Sequence, residues 1–284
     1  MKAYRLAPDQ PFDLDRTLSC GQAFRWQKRD GWWEGVAGET PLCIRQEGGT
    51  LLYEGVTEAF LVRYCGLDAD LCAILASFNR DPVIGRAIAR HHGLRLLRQD
   101  PWECLISFIC AQNAHIPFIT RMIASIAGTF GEPVGAPWGT ERAFPDPKAL
   151  AGCSDDALAC CRLGYRARYI RDTARMAAAD PGWADRIREA AYPEAARELR
   201  RFPGVGPKVA DCILLFGFGQ YEAFPVDVWI RRLMVRAYPA LLADRPSGRE
   251  YEIIGAFARD YFGAYAGYAQ EYLFLESRSG AGPE

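Results

Sequence analysis

The chain has 284 residues, 50% of them apolar and 24% charged, which excludes a disordered polymer and leaves room for two or three sub-domains with their own cores. A formal net charge of −1 argues against general electrostatic affinity for nucleic acid. No apolar run approaches the ~18 residues of a membrane span, the N-terminal MKAYRLAPDQ has no signal-peptide core, and ten scattered cysteines without a C-x-x-C pair read as reduced thiols of a cytoplasmic protein.

Residues 1 to about 60 alternate short β-like runs with turn signals. Phe24–Gln27, Trp32–Val36, Leu42–Arg45 and Leu51–Tyr53 are separated by Arg29-Asp30-Gly31 and Glu47-Gly48-Gly49, which predicts an antiparallel sheet. Helical periodicity starts at Thr57–Leu67 and Asp68–Phe78, and Asp81-Pro82 caps a helix over Val83 to His91. His91 and His92 are expected at a solvated helix end, since no cysteine or carboxylate spacing nearby makes a zinc motif. The expected division is a sheet domain over 1–75 and a helical region over 76–284, an α+β architecture.

Trp102 to Ala111 reads as a core helix, and the Gly/Pro-rich span from Gly131 to Pro147 as a long surface loop. Short helices follow from Pro147 and from Ser154. The charge is uneven along the chain: Arg162, Arg166, Arg168, Arg171 and Arg175 are opposed within their run by Asp172, and Arg197, Arg200, Arg201 and Lys208 gather around Glu198. A basic face on a near-neutral protein suits modest, non-specific binding of a nucleic-acid backbone.

The stretch from Arg200 to Arg232 is the most informative. Pro203-Gly204-Val205-Gly206-Pro207 cannot continue a helix, whereas Lys208 onward places Val209, Cys212, Ile213 and Phe216 at helical spacing until Gly217. That predicts helix, hairpin, helix over about 194–219. A Gly-x-Gly turn at a helix start presents backbone N–H groups to a phosphate oxygen. Lys208 in this apolar register could be buried enough to become a nucleophile, or could be a solvated or phosphate-contacting lysine. Asp227, nineteen residues on, reads as an N-cap or as a carboxylate near that lysine able to stabilise a cationic sugar.

LRRFPGVGPKVADCILLFG followed by FPVDVWIRR resembles the helix-hairpin-helix signature of base-excision DNA glycosylases. The hairpin lysine marks its bifunctional glycosylase/lyase branch. LRLLRQDPWECLISFICAQN, LGYRARYI and LSCGQAFRW resemble the 8-oxoguanine DNA glycosylase family, in the family's order and over nearly the whole chain. The resemblance implies a duplex DNA partner carrying 8-oxoguanine, a monomer, and catalysis by Lys208 and Asp227. It implies no organic cofactor or catalytic metal and leaves a structural cation at the hairpin open. No cysteine follows Cys212, so the C-terminal iron–sulfur cluster of related branches has no ligands here.

The resemblance also implies roles for individual residues. The Gly21 carbonyl would accept from N7–H of the damaged base, where guanine has a lone pair. Gln270 would meet the base's Watson–Crick edge, Phe274 and Cys212 would cover its two faces, and Pro225 would line the same pocket. Asn113, His115 and Phe118 would face the orphaned cytosine, Tyr165 would be a wedge at the estranged base and Arg166 a contact to that base or its strand, Gly204, Val205 and Gly206 would hold backbone phosphate, and Trp229 would lie near a phosphate. Ala114 and His115 depart from an asparagine-rich family turn. Phe118 stands where many members have an arginine, and Trp229 where a histidine is usual.

Three other readings fit parts of the pattern. An alkylated-base glycosylase of the same fold would use water and not need Lys208. A non-enzymatic helix-hairpin-helix module would explain Gly204 and Gly206 but not Lys208, Asp227, Gln270 and Phe274 together. A lysine Schiff-base enzyme acting on small metabolites would not need the phosphate-gripping hairpin.

Overall fold

A computed structural model describes residues 1–241 and 248–279. Strands β1 (Lys2–Arg5), β2 (Trp26–Arg29), β3 (Trp32–Ala37), β4 (Thr40–Glu47) and β5 (Thr50–Glu54) form one antiparallel sheet in the order β1-β5-β4-β3-β2, with α1 (Leu14–Ser19) between the first two strands. Asp30 and Gly31 both have positive φ, the requirement of a tight two-residue hairpin turn. Trp33 pairs with Ile44, and Ile44 with Tyr53, so three large side chains align on the buried face. β1 was not expected. It is an edge strand with little burial, so its sequence carries no apolar alternation.

The helices are α2 (Glu58–Tyr64), α3 (Leu71–Phe78), α4 (Pro82–Arg90), α5 (Pro101–Cys110), α6 (Ile116–Phe130), α7 (Pro147–Ala151), α8 (Asp155–Cys160) and α9 (Arg166–Ala179). They continue with α10 (Trp183–Glu189), α11 (Tyr192–Leu199), α12 (Pro207–Gly217), α13 (Val228–Ala237), α14 (Glu250–Phe262) and α15 (Ala266–Ser279). The expected α+β architecture is therefore present. Asp70, Asp81, Asp100, Asp146 and Ser154 each accept a backbone N–H at a helix start, a bond whose removal typically costs about 1 kcal/mol. The span expected as a long loop instead contains a hairpin, β6 (Pro133–Ala136) and β7 (Gly139–Arg142). Its strands are too short and Gly/Pro-rich to show a two-residue period.

Two apolar cores organise the molecule. The smaller lies under the sheet and includes Leu14, Leu18, Trp33, Ile44 and Tyr53. The larger fills the helical region and includes Cys20 and Phe24, so the segment after α1 leaves the sheet and inserts among the helices. Gln22 fixes that insertion: its amide donates to Thr17 and Arg95 carbonyls and its Oε1 accepts from Leu97 N–H. Arg95, fully buried, donates to the carbonyls of Pro11, Gly66 and Ala69.

His91 corrects an expectation. His92 is exposed, but His91 is buried, with its Nε2 3.3 Å from a Glu276 carboxylate oxygen on α15. The end of α4 packs on α15 and not on solvent, and burial lowers the imidazole pKa against the opposing pull of Glu276.

Candidate active site

The helix-hairpin-helix is formed by α11, the turn through Gly206, and α12. Gly204 has φ +81°, and a Cβ there would lie 2.9 Å from the Tyr169 side chain, so glycine meets both a backbone and a packing requirement. Thr173 on α9 donates to the Pro203 carbonyl at 3.0 Å, tying the hairpin to the arginine-rich helix. Gly206 is exposed, and no side chain caps α12. Val205 is buried and anchors the turn. The first N–H groups of α12 thus face outward with the positive end of the helix dipole behind them.

Lys208 opens α12 and is half-buried, with its ammonium 5.4 Å from the centre of the Phe108 ring. Phe108 stacks on Phe216 at 5.5 Å, so the expected core helix α5 also supplies a wall of the lysine pocket. One turn along α12, Cys212 is buried. Burial pushes the Cys212 thiol up to about 12, opposed by Lys208, so the sulfur is a neutral, polarizable surface at neutral pH. The α12 floor is pinned by buried Asp211, which accepts from the Tyr192 and Tyr251 hydroxyls.

Asp227 follows the buried run Ala223, Phe224, Pro225 and Val226 and caps α13, accepting Ile230 N–H at 2.8 Å. That bond occupies one carboxylate oxygen and fixes the group's direction. The helix it caps, α13, packs against α15.

The opposite wall is α15. Gly267 permits its close approach, since a Cβ there would lie 2.2 Å from Leu215 on α12. Gln270 is buried and its Oε1 lacks a hydrogen-bond partner, while Phe274 is half-buried one turn on. Arg278 joins this wall to the inserted segment: its guanidinium lies 5.3 Å from the centre of the Phe274 ring and donates to the Cys20 carbonyl at 3.1 Å. Gly21 follows directly, at φ +106°. Residues from both ends of the chain therefore meet beside α12.

A second group forms a separate, exposed rim. Asn113, in the left-handed region at φ 48°, donates to the Tyr165 hydroxyl at 3.2 Å, and both are exposed. His115 is exposed and stacks on half-buried Phe118 at 6.1 Å. Trp229 is exposed with Arg232 over its ring. Arg166 differs from the rest: it is buried and its guanidinium donates to the Gln112 and Leu163 carbonyls. It holds the turn that carries Asn113 and does not reach outward.

Sequence reasoning passed over Gln22, Arg278, Asp211 and Glu271. Glu271 alone had a visible signal, an ionisable residue inside the apolar run GYAQEYLF. The partners of the others are set by contacts between distant segments.

Residues 5–105 match the model of the 8-oxoguanine DNA glycosylase N-terminal domain, and residues 106–253 that of the HhH-GPD superfamily of base excision DNA repair proteins. A probable N-glycosylase/DNA lyase of Methanothermobacter thermautotrophicus is 34% identical over 95% of this chain and 95% of its own length. N-glycosylase/DNA lyase OGG1 of Arabidopsis thaliana is 36% identical over 92% of this chain and 76% of its own length. The Clostridium acetobutylicum 8-oxoguanine glycosylase/lyase, solved with double-stranded DNA containing cytosine opposite 8-oxoguanine, superposes with a TM-score of 0.88 at 30% identity, covering 98% of each chain. With both domain models matched in order and the site assembled as described, the chain belongs to the 8-oxoguanine DNA glycosylase family of the HhH-GPD superfamily.

Proposed function

We propose that this protein removes 8-oxoguanine from duplex DNA by attack of Lys208 on C1′ and then cleaves the strand through the resulting Schiff base. The observation that carries this reading is the position of Lys208: at the start of α12, half-buried over the Phe108 ring and one turn from the buried Cys212 thiol, with the Asp227 carboxylate fixed by its own helix. The lysine nitrogen's lone pair forms the new bond to C1′ as the C1′–N bond breaks, and the base leaves with that bond's electron pair and takes up a proton. Ring opening gives the protonated Schiff base. Loss of a C2′ proton then expels the 3′ phosphate by β-elimination. Asp227 stabilises the positive charge that develops on the sugar.

Around that step, Gly21, Gln270, Phe274, Cys212 and Pro225 form the base pocket, with the Gly21 carbonyl reading N7–H. Asn113, Tyr165, His115, Phe118 and Trp229 line the rim against the duplex, and Gly204 to Gly206 hold backbone phosphate. Extrusion of a base costs a few kcal/mol, which the inserted rim side chains offset. The proposed chemistry uses amino-acid side chains alone, in a monomer.

Borohydride trapping on duplex DNA with a single 8-oxoguanine tests the reading. Wild type should give a covalent adduct that needs the lesion, and Lys208→Gln should give none, with base release slowed by at least about a thousandfold. Lesion release by Lys208→Gln at the wild-type rate would identify water as the nucleophile.

A further inference from the structure

Arg278 lies in the last turn of α15, one turn beyond Phe274, and is exposed. A cation there suits the helix dipole, which leaves its direction open. An exposed arginine ordinarily stays in water or pairs with a carboxylate, because ordering its long side chain costs conformational entropy. Here the guanidinium instead donates to the main-chain carbonyl of Cys20 at 3.1 Å, across 258 residues of sequence, and lies 5.3 Å from the centre of the Phe274 ring.

The Cys20 carbonyl belongs to the peptide that enters Gly21. Gly21, at φ +106°, has no side chain of its own to fix it, and glycine ranges over more of backbone space than any other residue. The segment is therefore held from outside. Beyond Gly21, the buried Gln22 donates to the Thr17 and Arg95 carbonyls, and its own carbonyl accepts from the Gln99 side chain at 2.6 Å. Before Gly21, the grip comes from Arg278. A Cβ at Gly21 would lie 3.8 Å from Arg278 Nη1 and 2.6 Å from Ile116 Cδ1, so these two side chains close around the glycine. Ile116 sets a packing limit, and Arg278 adds a directional bond.

We propose that Arg278 is a specificity-determining positioning residue, which holds the Gly21 carbonyl and the Phe274 ring in one arrangement so that the edge and the face of the damaged base are met together. 8-Oxoguanine and guanine differ at N7 by one proton. A carbonyl fixed about 2.9 Å from that nitrogen attracts the N–H and repels the lone pair, whereas one free to swing away does neither. Arg278 acts through Gly21 and Phe274 and is not itself a catalytic group. The inference rests on the base-pocket reading above.

DNA that carries no base to read separates this role from a merely structural one. Wild type, Arg278→Leu and Arg278→Lys are compared on duplexes holding 8-oxoguanine, undamaged guanine or a preformed abasic site, with base release and strand cleavage as readouts. Arg278→Leu should lower kcat/KM for 8-oxoguanine relative to guanine at least about tenfold, while cleavage at the abasic site stays within about threefold of wild type. Arg278→Lys keeps a donor for the Cys20 carbonyl and should hold the ratio within about threefold of wild type. A ratio unchanged in Arg278→Leu overturns the inference. So does an equal loss at the abasic site, which marks a structural role. A wild type that releases 8-oxoguanine no faster than guanine overturns the base-pocket reading itself, and the inference with it.

Discussion

Lys208 in the pocket and Arg168 on α9, just past the rim residue Tyr165, are both cations on helices, and they inhabit different media. Lys208 is half-buried over an aromatic ring and beside a neutral thiol. Arg168 has a side chain 81% exposed and a loose pair with Asp172 at 3.6 Å. Charges act over several ångströms in the pocket, where water is scarce, and are screened on the rim. The pocket should therefore govern rate and lesion identity, and the rim should govern affinity and the choice of opposite base in smaller steps.

The largest test of that contrast is Asp227→Asn. Asparagine caps a helix about as well as aspartate, so α13 and the melting temperature should be kept while the sugar cation loses its counter-charge. We expect base release to fall about 10²–10³-fold, measured as the single-turnover rate. A loss below threefold would mean that the pocket is wet enough to screen the carboxylate.

Gly21→Ala should have a smaller and more selective effect. The new Cβ would lie 2.6 Å from Ile116 Cδ1, a movable side-chain end, but φ +106° is a strained conformation for alanine at about 1–3 kcal/mol. The carbonyl should shift, and the ratio of kcat/KM for 8-oxoguanine over guanine should drop about tenfold. An unchanged ratio would remove Gly21 from lesion reading.

Phe118 offers the smallest effect and belongs to the rim. It packs between His115 and Arg121 and brings no charge-assisted donor to the orphaned base. Turnover with cytosine or adenine opposite the lesion should differ by less than about tenfold, and Phe118→Arg should widen the preference for cytosine by about that factor. A hundredfold preference in wild type would show that another rim residue reads the opposite base.

The hairpin, Lys208 and Asp227 were legible in the sequence because each rests on local chemistry: glycine and proline end a helix, an aspartate caps one, and apolar spacing sets the face of α12. Most elements were legible for the same reason. β1 and the β6–β7 hairpin were not, because edge strands and short Gly/Pro-rich strands bury too little to impose a period. Tertiary structure alone decided that His91 is buried against Glu276, that Arg166 turns inward to hold the Asn113 turn, and that Arg278 ties Phe274 to the segment carrying Gly21. Those outcomes depend on which distant segments share one low-dielectric volume. Glu271 shows the limit most clearly: the sequence places a carboxyl in an apolar helix, and only tertiary packing buries it and raises its pKa.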